Sequence, residues 1–219
     1  MLDPKILGLL ELVVESYIQK GEPIGSKFLN TLNYQGWAPS TLRKYLKVLE
    51  EMDYVYQPYH SAGRVPTLKW WERYVQNVLD QVDEAQLEMA RWELKELVKA
   101  LSEQIEGVVV GFVEGDEYHY LGLQNLFDFA GSVEDLEVLR QIVNWLESQK
   151  VIDILSKKNI KTGKINYFFV ETTGGIVSIF AIRVYLPSGK KGILAVISPV
   201  RTNYRDNLRV LKKVLQVYG

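Results

Sequence analysis

The chain has 219 residues, of which 47% are hydrophobic and 24% charged, a balance that builds a globular core and argues against a disordered chain. It has no Cys, which excludes disulfide scaffolds, thiol catalysis, Cys-ligated zinc and iron–sulfur clusters, and its two His leave too few imidazoles for a multi-histidine metal site. The net charge of −1 conceals an asymmetry: residues 1–80 are neutral, 81–149 carry −11 and 150–219 carry +10, so the last two thirds either pack together as electrostatic complements or present a basic surface to nucleic acid.

In chain order, Ile6, Leu9, Leu10, Val13 and Tyr17 recur at helical spacing and predict a helix from Pro4 to Lys20, stopped by Gly21. A short helix follows from a cap at Ser26 or a neighbouring backbone group to about Leu32. After the turn 33–36 comes a third helix with a buried stripe of Leu42, Tyr45, Leu46, Leu49 and Met52. Ser40, Arg43, Lys44 and Lys47 lie off that stripe. Alternation from Tyr54 to Gln57 and the run Tyr59 to Pro66, with Gly63 expected as a flexible tip, predict a hairpin. Three helices and a hairpin within the first 66 residues form the pattern of a winged helix-turn-helix, whose third helix would enter a major groove.

Thr67 is expected to cap a long helix over 67–104. Trp71, Val75, Val78, Val82, Ala85, Met89 and Trp92 are spaced as a heptad seam; Glu96 breaks that register, and a shifted stripe of Ala90, Leu94, Leu97, Leu101 and Ile105 takes over. The seam faces either the chain's own core or a second copy. Beyond it, strands are predicted at 108–113, 118–123, 165–170, 176–186 and 192–197. Helices are predicted from a capping box at Ser132 and Asp135 to Lys150, and from Tyr204 to Tyr218. The fold class expected is α+β, with residues 105–219 as one shortened domain.

Glu114, Asp116, Glu117 and His119 superficially suggest acid–base or metal chemistry, but they fall in a hairpin turn and no nucleophile elbow, Walker loop or dinucleotide fingerprint accompanies them. No enzyme, cofactor or metal is expected. No apolar run reaches the length of a membrane span and the start lacks a cleavable leader pattern, so a cytoplasmic protein with no membrane partner is expected.

Two stretches resemble the heat-inducible transcription repressors called HrcA. The first is Gly21-Glu22-Pro23-Ile24-Gly25-Ser26-Lys27, then Ser40-Thr41-Leu42-Arg43, then Gln57 through Thr67; the second is Ile197-Ser198-Pro199-Val200-Arg201-Thr202-Asn203-Tyr204. Leu123-Gln124-Asn125-Leu126-Phe127 and the segment 135–150 also match in order. The resemblance implies an N-terminal winged helix-turn-helix and a C-terminal GAF-like domain. It also implies a homodimer on an inverted-repeat operator of chaperone genes, repression as the activity, and regulation through a GroEL-type chaperonin. Three departures stand out: Ala38-Pro39 replaces Ser-Ser, Arg43-Lys44-Tyr45 replaces Arg-Asn-Asp, and family length between Val113 and Tyr118 is missing.

The DNA-contacting set expected is Ser26, Lys27, Ser40, Thr41, Arg43, Lys44, Lys47, His60, Ser61, Arg64 and Lys69. Arg43 is the candidate for a bidentate contact to guanine, and Arg64 for a minor groove or phosphate. Because an inverted repeat needs a two-fold symmetric reader, the seam Trp71, Val75, Val78, Val82, Ala85 and Met89 is the expected dimer interface. The alternative function is a ligand-sensing regulator whose pocket is lined by Tyr118, Tyr120, Tyr167, Phe168 and Phe169.

Overall fold

The computed structural model describes residues 3–86, 88–130 and 133–219. They form two compact units, Met1–Asn77 and Val78–Gly219.

The first unit opens with α1 (Pro4–Lys20). Asp3 accepts the Lys5 amide at 2.8 Å, Pro4 occupies the first turn, and Gly21 at φ 69° closes the helix onto the Tyr17 carbonyl. Next come α2 (Ser26–Thr31), a 3-10 turn at Tyr34–Gly36 and α3 (Pro39–Glu51). The cap of α2 is Gly25 rather than Ser26, and no side chain completes it. Leu9, Leu10, Val13, Leu29, Leu42, Leu46, Leu49 and Val55 are buried, so the predicted stripes of α1 and α3 face the interior, although Met52 is 39% exposed. Strands β1 (Val55–Tyr56) and β2 (Val65–Pro66) pair antiparallel. Helix α4 (Leu68–Gln81) follows, and the division between the units falls inside it.

The helix expected over 67–104 ends at Gln81, and the next helix, α5 (Leu94–Ser102), begins only at Leu94. No Gly or Pro breaks the stretch between them; tertiary partners do. The last helix of the chain, α8 (Tyr204–Tyr218), supplies most of them. Lys212 donates to the Val82 carbonyl at 2.5 Å, Ala85 donates to the Arg209 carbonyl at 3.0 Å, and the Trp92 amide donates to the Tyr218 hydroxyl at 2.6 Å. Backbone groups satisfied this way no longer need a helix, and local propensity is overridden.

The second unit is built on one antiparallel sheet. Its strands are β3 (Val108–Val113), β4 (Glu117–Leu121), β5 (Asn166–Thr172), β6 (Gly175–Tyr185) and β7 (Lys191–Pro199), in the spatial order β4-β3-β7-β6-β5. The acidic middle third and the basic last third therefore share a sheet, meeting where Val110 pairs with Ala195. Alternate residues Val110, Phe112, Ile179, Ala181, Ala195 and Ile197 face α6 (Val133–Glu147) and α7 (Lys150–Ser156), with Ile142, Leu146, Val151 and Leu155 completing that core. On the opposite face α5 comes so close to β3 that a Cβ on Gly111 would stand 2.7 Å from Val98 and 2.8 Å from Leu94, which is why glycine occupies that position. Helix α7 is absent from the sequence reading, and the expected cap Ser132 lies outside the described residues.

Candidate nucleic-acid interface

Helix α3 presents the expected cations. With Leu42, Leu46 and Leu49 buried, the geometry of 3.6 residues per turn leaves Ser40, Arg43, Lys44 and Lys47 exposed, with Thr41 half-buried beside them. Among the described residues none of Arg43, Lys44 and Lys47 has a carboxylate within ion-pair distance. Ala38 supplies no capping side chain at the start of the helix. Trp37 instead stacks on Tyr45 at 4.6 Å between ring centroids, and Tyr34 meets Trp37 edge-on at 5.4 Å. A stacked pair and a side-chain cap are each worth about 1 kcal/mol, so Tyr45 offsets the missing cap at Ala38. Sequence periodicity placed Tyr45 in the buried stripe and missed its partner.

The hairpin is tied down more firmly than expected. Ile24 and Arg64 exchange both backbone hydrogen bonds, at 2.9 and 2.8 Å, so the stretch between α1 and α2 joins the hairpin as a third, one-bridge strand. The segments Gly21–Lys27 and Gln57–Thr67 are thereby two sides of one contact. Gly63 is no flexible tip: a Cβ there would lie 2.4 Å from the Ile24 carbonyl carbon and 2.5 Å from that of Pro23. The left-handed turn is made by Ser61 at φ 68°, beside the exposed His60, whose Nδ1 is 2.9 Å from the Ser61 hydroxyl.

Two expected DNA contacts have other posts. Arg64 folds back so that Nη2 donates to Glu50 of α3 at 2.9 Å and Nη1 to the Gly63 carbonyl at 3.3 Å, leaving its side chain 16% exposed. Lys69 donates to the Met52 carbonyl at 2.9 Å, just past the end of α3, where a cation suits the helix dipole. Arg64 thus ties the hairpin to α3, while Lys69 reaches the end of α3 from an exposed position. Ser26 is half-buried, while Lys27 is exposed at the start of α2.

The heptad seam is not a free surface. Trp71, Val75, Val78 and Val82 are buried within the single chain, and Ala85 and Met89 are half-buried in a stretch that is not helical. The expected pocket aromatics do not converge either, because Tyr118 and Tyr120 stand on β4 whereas Tyr167, Phe168 and Phe169 stand on β5, the two opposite edges of the sheet. Tyr118 donates to the Leu146 carbonyl at 2.9 Å, and burial pushes its pKa up to about 12. In the acidic turn, Lys190 sits 2.8 Å from Asp116 and 3.0 Å from Glu117, contacts that raise its pKa above the usual lysine value, and His119 lies 3.4 Å from Glu117. These carboxylates hold two turns together.

Residues 71–207 match the family model described as HrcA protein C terminal domain. The chain belongs to the HrcA family. It is 35% identical over 117 residues to the heat-inducible transcription repressor HrcA of Thermobifida fusca (strain YX), across 53% of this chain and 30% of that protein. It is 43% identical over 75 residues to the repressor of the same name from Kineococcus radiotolerans, across 34% of this chain and 22% of that one. The matched stretches thus span less than a third of these relatives' own lengths. A crystal structure of a hypothetical protein superposes with a TM-score of 0.70 over 98% of this chain and 96% of that one at 16% identity, a likeness of fold.

Within the HrcA-matched region the motif residues are structural. Asn125 Nδ2 donates to the carbonyls of Ser102 and Ile105 at 3.0 Å and approaches that of Gly107 at 3.2 Å, closing the end of α5 onto the start of β3. Arg201 donates to the Phe129 carbonyl at 2.8 Å and to Asp135 at 3.1 Å, while Asn207 Nδ2 donates to the Glu106 carbonyl at 2.8 Å. Asn203 caps α8 by accepting the Asp206 amide. The sequence marks these segments by family pattern, but nothing local reveals that Arg201 meets residues 66 and 72 positions away or that Asn207 meets one 101 positions away.

Proposed function

We propose that the chain is a DNA-binding transcriptional repressor of heat-shock and chaperone genes, working in the cytoplasm and not as an enzyme. Residues 3–77 act as a winged helix-turn-helix, the second unit as a GAF-like regulatory body, and a homodimer reads an inverted-repeat operator. Membership of HrcA supports regulation by a GroEL-type chaperonin. The observation that carries the reading is the exposed face of α3, where Ser40, Arg43, Lys44 and Lys47 project beside the hairpin and, among the described residues, no carboxylate lies within ion-pair distance of the cations. Cations that neutralise phosphates release the counterions condensed on the duplex, which favours binding and makes it salt-dependent, and a forked guanidinium reads guanine.

Arg43→Ala is expected to weaken binding to a duplex selected from a random pool by about 1 to 3 kcal/mol and to relax preference at one base pair. Lys47→Ala should weaken all duplexes alike and reduce the slope of log affinity against log salt by about 1. Arg64→Ala should weaken binding with that slope unchanged, because its guanidinium is occupied by Glu50. Fluorescence anisotropy at several salt concentrations checks all three, and unchanged affinity in the Arg43 and Lys47 variants would overturn the assignment of α3. Sedimentation with a full inverted repeat should show two chains per duplex; one chain per duplex would overturn the homodimer.

A further inference from the structure

Helix α7 stops at Ser156 while the sheet beneath it runs on, and the uncovered corner is a cavity of about 240 Å³. Phe112, Ile193 and Arg183 form one cross-strand row from β3 through β7 to β6, since Phe112 pairs with Ile193 and Ile193 with Arg183. The half-buried Ile193 gives the cavity an apolar floor, with the buried Phe112 and Leu155 packed beside it. Its rim carries Lys158, Arg183 and Lys191.

Among the described residues none of these three cations has a carboxylate within ion-pair distance. Arg183 is oriented by its own Nε, which donates to the Ile160 carbonyl at 2.8 Å and leaves the forked end of the guanidinium available. Lys158 lies over the Phe168 ring at 5.2 Å and Lys191 over the Tyr185 ring at 5.4 Å, positions set by π-contacts rather than by ion pairs. Glu114 and the carbonyl end of α7 work against an anion with about one and a half negative charges, which three cations outweigh.

We propose that this corner binds a small organic anion, a phosphate or carboxylate headgroup on a compact apolar body, held by Arg183, Lys158 and Lys191. The headgroup meets the rim and the apolar body lies on Phe112 and Ile193. Every residue of the site belongs to the second unit, so loss of anion binding and loss of operator binding are read separately.

The test is calorimetric titration of the full chain at low salt with phenyl phosphate, benzoate, inorganic phosphate and phenol. Phenyl phosphate or benzoate should bind more tightly than inorganic phosphate, and phenol not at all; the stronger of the two identifies the headgroup. The double variant Lys158→Gln with Lys191→Gln should lose about tenfold in affinity or more with an unchanged thermal midpoint, since both side chains are exposed and, among the described residues, make no hydrogen bond. Should that variant unfold, Lys191→Gln alone carries the same comparison. The proposal is overturned by the absence of binding at millimolar concentration, by equal binding of phenol, by equal affinity in the folded variant, or by protection from duplex DNA and no small anion.

Discussion

Replacing Arg201 by Ala should destabilise the second unit by about 3 kcal/mol, which for a unit of this size lowers its melting temperature by roughly 10 °C. The guanidinium is 10% exposed and joins three parts of the chain: the end of β7, the 3-10 turn at Leu123–Phe129 through the Phe129 carbonyl, and α6 through Asp135. Removing it takes the Arg201 bond away from the Asp135 carboxylate, itself 17% exposed, and leaves the Phe129 carbonyl without that donor. The low end of the range for a broken buried pair applies because Asp135 keeps some access to water. Asp135→Asn should cost less, since an amide oxygen still accepts from Arg201. Urea unfolding followed by the fluorescence of the buried Trp145 checks the difference, and a loss under about 1 kcal/mol for Arg201→Ala would remove the ion pair from any central role in the unit.

The elements legible in the sequence are those with a local signature. Helix α1 has Pro4 at one end and Gly21 at the other with a clean apolar stripe between, and α8 has Asn203 before it, so both agree with the structure at their ends. The strands of the large sheet were legible because alternation and turn residues bound each of them. The break after Gln81 was not, because it depends on Lys212, Arg209 and Tyr218, more than a hundred positions downstream. Once the helix ends there, the seam that looked like a dimer interface becomes interior: Val78 is 1% and Val82 3% exposed. A charged substitution at either position is then a core mutation and reports nothing about association.

The same distinction runs through the interface. Arg43, Lys44 and Lys47 were legible because exposure on a helix follows from spacing alone. Arg64 and Lys69 were read as DNA contacts because cations beside a hairpin so often are, yet one pairs with Glu50 and the other with the Met52 carbonyl. Those partners lie 14 and 17 positions away and are set by how the hairpin folds onto α3, which no pattern of residue types states.

Gly63→Ala is the sharpest probe of that arrangement. The added methyl would fall 2.4 Å from the Ile24 carbonyl carbon and 2.5 Å from the carbonyl carbon and oxygen of Pro23, all backbone atoms with no rotamer to escape into. Relief requires the chain to separate there, which opens both hydrogen bonds between Ile24 and Arg64. Two backbone bonds at about 1 kcal/mol each, plus the strain of an overfilled contact, put the cost at about 3 kcal/mol. That is a large share of the stability of a unit of under 80 residues. The backbone of Arg64 moves with it, so the tie to Glu50 loosens and the hairpin no longer sits against α3. Operator affinity should therefore fall well beyond the effect of Arg64→Ala, which keeps the backbone bridge. Gly25→Ala is the control: among the described residues, no atom beyond its two chain neighbours lies within 4 Å of its Cβ position, and the loss of a glycine cap should cost only about 0.5 kcal/mol. Thermal unfolding and operator titration of the two variants side by side decide the matter, and equal behaviour would mean that the Pro23–Ile24 contact does not hold the hairpin in place.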